Sequence, residues 1–347
     1  MSSYTDQQPY FSFGVIADVQ YADRNDGLSG WCSMRYYRHS CIHLRSAIEH
    51  WNMEDTVPKF VLQLGDIIDG SNRKLLTSEK SLDTVLKEIE NAKMPFHHIW
   101  GNHELYNFNR DYLKDTKLNT TWMQDKQHNV SHEGNPDTCD YYAYHFSPHT
   151  KFRFILIDTY DLSVHGRSVD SPSHQKSEDF LDNSYLLSSN GSEKPHLREF
   201  NGGMGSKQLE WLDHVLTYSD KNNEKVIIAG HVPIHPAAKP SYCLAWNYED
   251  ILKVIRSHKS AVCYLAGHDH SGGYYLDSYG LHHITMEGVI ESPPGTNAFG
   301  TVYVYEDGMV LRGRGRVKER ILPYRTHTKH RDACFKCSCA SATEDIR

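Results

Sequence analysis

The strongest pattern along the chain is a short apolar run that ends at a small residue and is followed at once by side chains able to bind a cation. Leu62-Gln63-Leu64-Gly65-Asp66-Ile67-Ile68-Asp69 shows it in full. The run from Phe60 to Leu64 is too short for a helix and too apolar for a strand with one wet face, so it predicts a strand covered on both sides. Gly65 lets the backbone turn sharply or approach a ligand closely, although strand-Gly-Asp also opens plain loops. Repetition changes the picture. The same grammar recurs at Phe13-Gly14-Val15-Ile16-Ala17-Asp18-Val19-Gln20, His98-Ile99-Trp100-Gly101-Asn102-His103-Glu104, Val226-Ile227-Ile228-Ala229-Gly230-His231 and Tyr264-Leu265-Ala266-Gly267-His268-Asp269-His270. Five strand ends therefore offer Asp, Asn, Gln and His, and the carboxyl ends of buried strands are where open α/β sheets gather their sites.

Between these runs the period changes. Tyr37, Cys41, Leu44, Ile48 and Trp51 recur at three- and four-residue steps and predict an amphipathic helix over Tyr36–Asn52; Leu82, Val85, Leu86 and Ile89 predict another before a strand at Phe96–Trp100. Strand, helix, strand is what a parallel sheet requires. Residues 105–149 are polar and aperiodic and read as an insertion with short helical pieces. Phe152–Ile157 reads as a strand ending at Asp158, and 159–201 as a second loop-like insertion. Ser206 is placed to cap a helix through Tyr218, and Asn247 to start one ending near His258. Past His270 the runs alternate, at His282–Glu287, Phe299–Tyr305 and Met309–Arg314, with Asp307-Gly308 as a hairpin turn, and read as one antiparallel region.

Length and charge narrow the possibilities. The chain has 347 residues, and since no cut between Asp18 and His270 leaves all five clusters in one half, one α/β domain over 11–324 is expected, with flexible residues 1–10 before it and a disordered tail at 325–347. A net charge of −7 without a basic block argues against nucleic acid as a partner. No run of about eighteen apolar residues is present to span a membrane. The first ten residues are polar, without the apolar core of a signal peptide. Eight irregularly spaced cysteines then read as reduced thiols of a cytoplasmic monomer. Three Asn-x-Ser/Thr matches, at Asn119, Asn129 and Asn190, would suit a secreted protein but without a leader read as chance. Cys334, Cys337 and Cys339, near His327 and His330, lack the second cluster a zinc site needs, so they read as part of the tail.

Taken in order, the five clusters match D-x-[HQ], G-D-x-x-[DG], G-N-H-[ED], G-H and G-H-x-H, and the chain thereby resembles the calcineurin-like metallophosphoesterase superfamily over about Phe11–Leu322. Within it the chain is most similar to the manganese-dependent ADP-ribose/CDP-alcohol diphosphatases. That closer likeness rests on Phe13 to Asp23, Arg35-Tyr36-Tyr37-Arg38, Asn201-Gly202-Gly203 and Cys243 to Tyr248. The resemblance implies a four-layer α-β-β-α sandwich of two mixed sheets. It also implies two divalent cations, one held by Asp18, Gln20, Asp66 and His270 and the other by Asp66, Asn102, His231 and His268, with Asp66 bridging. It makes His103 the group that steadies or protonates the leaving oxygen, oriented by Asp69, with attack by a hydroxide shared between the cations. The plainer readings are that Asp69 caps a helix and His103 is packed near the sheet top. Gln20, a hard amide oxygen where many members carry His, favours Mn²⁺, with Mg²⁺ a weaker alternative because three histidines join the site.

The substrate is less clearly written. Gly70 stands where protein Ser/Thr phosphatases have Arg, which disfavours phosphoproteins. Trp31, Tyr36, Trp246 and Tyr248 are either stacking surfaces for a base or ordinary packing residues, Cys243 reads as pocket wall, and His235, four residues after His231, is either a contact to the ligands or the substrate or a residue with no part in the site. His97, His98, His282 and His283 read as core or rim, and Asp158 as a loop cap. By resemblance the activity is cleavage of a nucleoside diphosphate conjugate such as ADP-ribose, CDP-choline or CDP-glycerol, with cyclic ADP-ribose a further candidate. The alternatives are a phosphodiesterase for cyclic nucleotides or phospholipid-derived diesters, and a silent scaffold, which the complete set of ligand positions disfavours.

Overall fold

The computed structural model describes residues 7–30, 32–125, 141–188, 194–238 and 242–325. In chain order it begins with β1 (Phe11–Ile16), a ribbon of β2 (Gly27–Leu28) and β3 (Met34–Arg35), α1 (Tyr37–Met53), β4 (Val61–Gln63), α2 (Ser71–Leu75), α3 (Ser78–Ile89) and β5 (Phe96–His98). Next come α4 (Asn102–Asn107), α5 (Arg110–Lys114), β6 (Tyr144–His149), β7 (Phe152–Leu156), α6 (Pro172–Ser188), α7 (Ser206–Lys221), β8 (Lys225–Ala229), α8 (Tyr248–Arg256), β9 (Ala261–Ala266), β10 (Ser271–Leu276) and β11 (His282–Glu287). β12 (Ala298–Val304), β13 (Gly308–Gly315) and β14 (Arg320–Pro323) close it.

Two six-stranded mixed sheets result, ordered β14-β13-β12-β1-β4-β5 and β10-β11-β9-β8-β7-β6. In the first, β1, β4 and β5 are parallel; in the second, β7, β8, β9 and β11 are parallel. Every residue of β1 is buried, as a strand covered on both faces must be. Aromatic rings join the sheets: Phe13 meets Phe154 edge-on at 5.1 Å, and Phe60 meets Phe146 at 5.1 Å. On the outer face of the first sheet, α1 buries Tyr37, Cys41, Leu44, Ile48 and Trp51, the spacing read from the sequence. Trp51 lies so close that a Cβ on Gly14 would come within 2.7 Å of its ring, which is why β1 carries a glycine there.

Three segments differ from the sequence reading. Tyr144–His149, within the expected insertion, is a strand paired antiparallel to β7. Its apolar alternation is short, Tyr144 and Phe146 around a buried His145 that faces Arg153 at 2.8 Å, and it gives way at once to the polar Ser147-Pro148-His149. Residues 172–188 form α6, a largely polar helix anchored by Phe180 and Leu181, and so without a periodic signal. The expected antiparallel region past His270 is divided: β11 lies parallel beside β9, whereas β12 to β14 extend the first sheet beyond β1. The Asp307-Gly308 hairpin forms as expected, pairing Val304 with Met309. Among the described residues no helix is long and apolar enough to cross a membrane.

Candidate active site

The carboxyl ends of β1, β4, β5, β8 and β9 meet, and backbone hydrogen bonds tie the loops that leave them. Asp18 N–H donates to the Gly65 carbonyl at 3.2 Å, Gln20 N–H to that of Asp66 at 2.9 Å, and His231 Nδ1 lies 2.7 Å from that of Leu64. Four of the side-chain-bearing residues here have left-handed backbones: Asp18 at φ 53°, Gln20 at 45°, Asp66 at 57° and His268 at 70°. Such conformations cost about 1–3 kcal/mol each and persist where surrounding structure imposes them, typically at functional sites. Two glycines make the approach possible. A Cβ on Gly65 would lie 2.4 Å from His231 Nδ1, and one on Gly101 2.1 Å from Asp66 Oδ1.

The chemistry is in which atoms face one another. Neutral His231 carries its proton on Nδ1, toward Leu64, and so turns an Nε2 lone pair to the Asp66 carboxylate, 3.3 Å away. Asn102 Oδ1 accepts the Tyr160 hydroxyl at 2.9 Å and lies 3.1 Å from His268 Nδ1, itself 3.3 Å from His231 Nε2. Four acceptors thus converge. Beside them, His270 holds its Nδ1 proton against Glu291 at 3.0 Å and turns Nε2 to Asp18 Oδ1 at 3.5 Å and to the Gln20 amide at 2.9 Å. The other amide atom, Gln20 Oε1, is buried without a partner among the described residues; half a turn of the amide places it among these acceptors instead. Asp66 Oδ2 belongs to both sets, at 3.1 Å from the Gln20 amide and 3.3 Å from His231. Lone pairs that face lone pairs in a buried site need a cation between them, and a mixed carboxylate, amide and imidazole set suits a divalent first-row metal. Burial opposes charge on His231 and His270, but Asp66 and Asp18 raise the pKa of the former to about 9, and Asp18 and Glu291 raise that of the latter to about 9.

Around this core, His103 has its Nδ1 2.7 Å from the Gly70 N–H and 3.4 Å from Asp69 Oδ2, while Nε2 stands 3.8 Å from Asp66 Oδ2. The shorter contact decides the neutral tautomer, with Nδ1 accepting from Gly70 and the proton on Nε2. On a second proton Nδ1 turns donor and Asp69 is the partner in reach. Burial lowers the His103 pKa, but Asp66 and Asp69 outweigh it and the net direction is up. Asp69 Oδ1 also caps Ser71 N–H at 2.8 Å. Glu104 is a residue whose role sequence reasoning missed. Its carboxylate accepts the N–H groups of Gly101, Asp66 and Ile67 at 2.6–2.8 Å, stitching the loop after β5 to the loop after β4. Burial and nearby Asp66 push its pKa up to about 7. Glu291 was missed as well, because nothing local in Glu291-Ser292-Pro293 signals that it receives His270 and Ser33. Burial notwithstanding, these partners and Arg316 hold its pKa down to about 2.

A cavity of about 420 Å³ opens over the acceptors, with Arg35, Tyr106, Phe200, Tyr242 and Cys243 among its walls. Cys243 is thus where the sequence reading expects it. Trp246 is buried instead in a small cluster with Leu162, Leu181 and Leu197, its indole N–H donating to Arg198. Tyr248 lines a separate groove with His235 and Tyr279, and Tyr36 precedes α1 outside the cavity wall. Trp31 and Cys334, Cys337 and Cys339 lie outside the described residues. Asp158 pairs with Arg110 at 2.6 Å and caps Tyr160 N–H, and Asp269 caps Ser271 at the cavity rim. His235 stands apart from the catalytic cavity, in a cluster with Asp277 and His283. Arg256 already neutralises Asp277 there at 2.9 Å, and His235 Nδ1 accepts Ala237 N–H, so its proton sits on Nε2.

Paired mixed sheets with two acceptor sets at their strand ends define a metal-dependent hydrolase of the α/β sandwich class. The chain belongs to the calcineurin-like phosphoesterase family, whose sequence profile matches residues 11–272. It is 54% identical over 323 residues to the manganese-dependent ADP-ribose/CDP-alcohol diphosphatase of Bos taurus, covering 91% of this chain and 94% of that one. To the protein of the same name in Homo sapiens it is 51% identical over 332 residues, 94% of this chain and 95% of the other. The crystal structure of a dimetal phosphatase from Danio rerio superposes with a TM-score of 0.83 at 47% identity, over 92% of this chain and all of that one.

Proposed function

We propose that this chain is a manganese-dependent hydrolase that splits the diphosphate of nucleoside diphosphate conjugates, ADP-ribose and CDP-alcohols, into two phosphomonoesters. The observation that carries the reading is the pair of acceptor sets joined at Asp66, in a chain about half identical over nearly its whole length to proteins bearing that name. Asp18, Gln20, Asp66 and His270 would hold one cation; Asp66, Asn102, His231 and His268 would hold the other. When bound, two divalent cations supply a water nucleophile ionised near neutral pH and charge to neutralise the reacting phosphoryl group.

The protein does the rest. The strand-end loops fix the acceptors before substrate arrives, so little reorganisation is left for the reaction itself. His103, doubly protonated with its Nδ1–H on Asp69, gives its Nε2 proton to the departing phosphate oxygen and is left neutral. Arg35 lines the same cavity and lies 3.5 Å from Asp69, a cation suited to a second phosphate that a monoester lacks. A volume of about 420 Å³ falls in the range of small-molecule sites and supports a compact nucleotide substrate.

The test is a panel of ADP-ribose, CDP-choline, CDP-glycerol, cyclic ADP-ribose, 2′,3′-cyclic AMP, a phospholipid-derived diester and an aryl monoester, each assayed with Mn²⁺ and with Mg²⁺. Nucleoside diphosphate conjugates should lead in kcat/KM, with Mn²⁺ the better cation, because binding energy from the nucleoside and second phosphate is out of reach for a small ester. A cyclic diester or aryl ester hydrolysed as well as ADP-ribose would contradict the substrate assignment.

A further inference from the structure

We infer that Asn201 is a positioning residue that selects which nitrogen of His268 faces the cation site and ties that choice to the two loops walling the cavity. The inference rests on the reading of His268 as a cation ligand. A neutral imidazole carries one proton on either nitrogen, and only the other nitrogen can bind a metal, so the partner of the remote nitrogen decides the geometry of the ligand.

That partner is unambiguous here. Asn201 is fully buried. Its Nδ2 donates to two backbone carbonyls, that of His196 at 2.8 Å and that of Tyr242 at 2.7 Å, which consumes both N–H groups and fixes the amide orientation. Oδ1 is therefore an obligate acceptor, and it faces His268 Nε2 at 2.7 Å. The ring proton sits on Nε2. Nδ1 is left as a lone pair directed at Asn102 and His231. With the opposite tautomer, Nδ1–H would point into the acceptor set and Nε2 would meet Asn201 Oδ1 lone pair to lone pair.

The same amide bridges the chain at 196–203 to the chain at 242–247, since one N–H goes to each. Those stretches are further joined by Trp246 N–H on the Gly202 carbonyl at 2.7 Å and Met204 N–H on Asn247 Oδ1 at 3.0 Å. A Cβ on Gly202 would come within 2.4 Å of the Thr159 carbonyl, so the loop that presents Asn201 is seated against the end of the second sheet. Phe200, Tyr242 and Cys243, neighbours of these anchor points, line the cavity. A change in the cavity wall is thereby passed to the orientation of His268.

The experiment needs no substrate. In cation-free protein labelled with ¹⁵N-histidine, the long-range ¹H–¹⁵N pattern of His268, assigned by its loss in His268→Gln, reads the tautomer directly. Wild-type protein should show Nε2–H. Asn201→Leu should lose that preference and weaken calorimetric Mn²⁺ binding by about 10- to 100-fold. Asn201→Asp keeps an acceptor at Oδ1 but sets an oxygen against the His196 and Tyr242 carbonyls, so it should keep the Nε2–H tautomer while losing stability to urea. An Nδ1–H tautomer in wild-type protein overturns the inference even where Asn201→Leu fails to fold. Wild-type Mn²⁺ affinity in a folded Asn201→Leu overturns it too. Unchanged Mn²⁺ binding in His268→Gln would remove the ligand reading beneath it, whereas a failed substrate panel alters none of these readouts.

Discussion

His103 shows how a single residue acquires a role from its surroundings. A histidine in the open would titrate near pH 6.5; here Gly70 N–H holds one nitrogen while Asp69 waits 3.4 Å away for the second proton. Under the proposed mechanism His103→Ala should keep bound Mn²⁺ and lose about 10²- to 10⁴-fold in kcat. Metal analysis and steady-state kinetics on one preparation check this, and undiminished kcat would take His103 out of the reaction. Gln20 makes a second point at this scale. Its partnerless Oε1 suits an oxygen ligand, so Gln20→His should raise affinity for Zn²⁺ or Fe²⁺ relative to Mn²⁺ and reorder the rates across metals. An unchanged ranking would remove Gln20 from metal selection. Residues delivered by their own strand were legible in the sequence because strand, glycine and ligand are neighbours in the chain. Asn201 entered the sequence reading only through the family likeness, without a role, and Glu291 not at all, since the groups they steady lie 67 and 21 residues away and only folding joins them.

At the scale of elements, the parallel strands combine a local pattern with buried polar groups that the pattern does not disclose. β5 carries His97 and His98 into the core, where His97 stacks on Phe146 at 3.8 Å and His98 Nδ1 meets Gln63 Oε1 at 3.2 Å. Burial pushes both pKa values down to about 3. Below pH 6.5 the unfolded chain binds protons at these positions and the folded chain does not, so stability falls as pH falls from about 6.5 toward 3. Each histidine contributes a slope of up to about 1.4 kcal/mol per pH unit in that window. Urea unfolding of His97→Phe at pH 7 and pH 5 should show a smaller acid loss than wild type, and an equal loss would mean that His97 is not buried neutral. β6 and α6 escaped the sequence reading for a related reason. β6 offers only Tyr144 and Phe146 to the core and α6 only Phe180 and Leu181 to a small satellite cluster, while longer apolar repeats are what periodicity detects.

For the whole molecule, the two sheets matter because each contributes half of the proposed centre. Asp18, Gln20, Asp66 and Asn102 come from loops of the first sheet, and His231, His268 and His270 from loops of the second. The architecture was legible because five ordered motifs define one fold, whereas the division of the last strands between sheets depends on pairing that no local pattern encodes. The central claim is that Asp66 serves both acceptor sets, so two Mn²⁺ ions bound there must be magnetically linked. Electron paramagnetic resonance of the fully loaded protein tests this most directly. The account predicts an exchange-coupled spectrum from two Mn²⁺ per chain, lost in Asp66→Asn together with most binding, while Asp18→Asn keeps one ion with an isolated six-line signal. Two uncoupled six-line ions in the wild-type protein, or an exchange-coupled pair that survives Asp66→Asn, would contradict it.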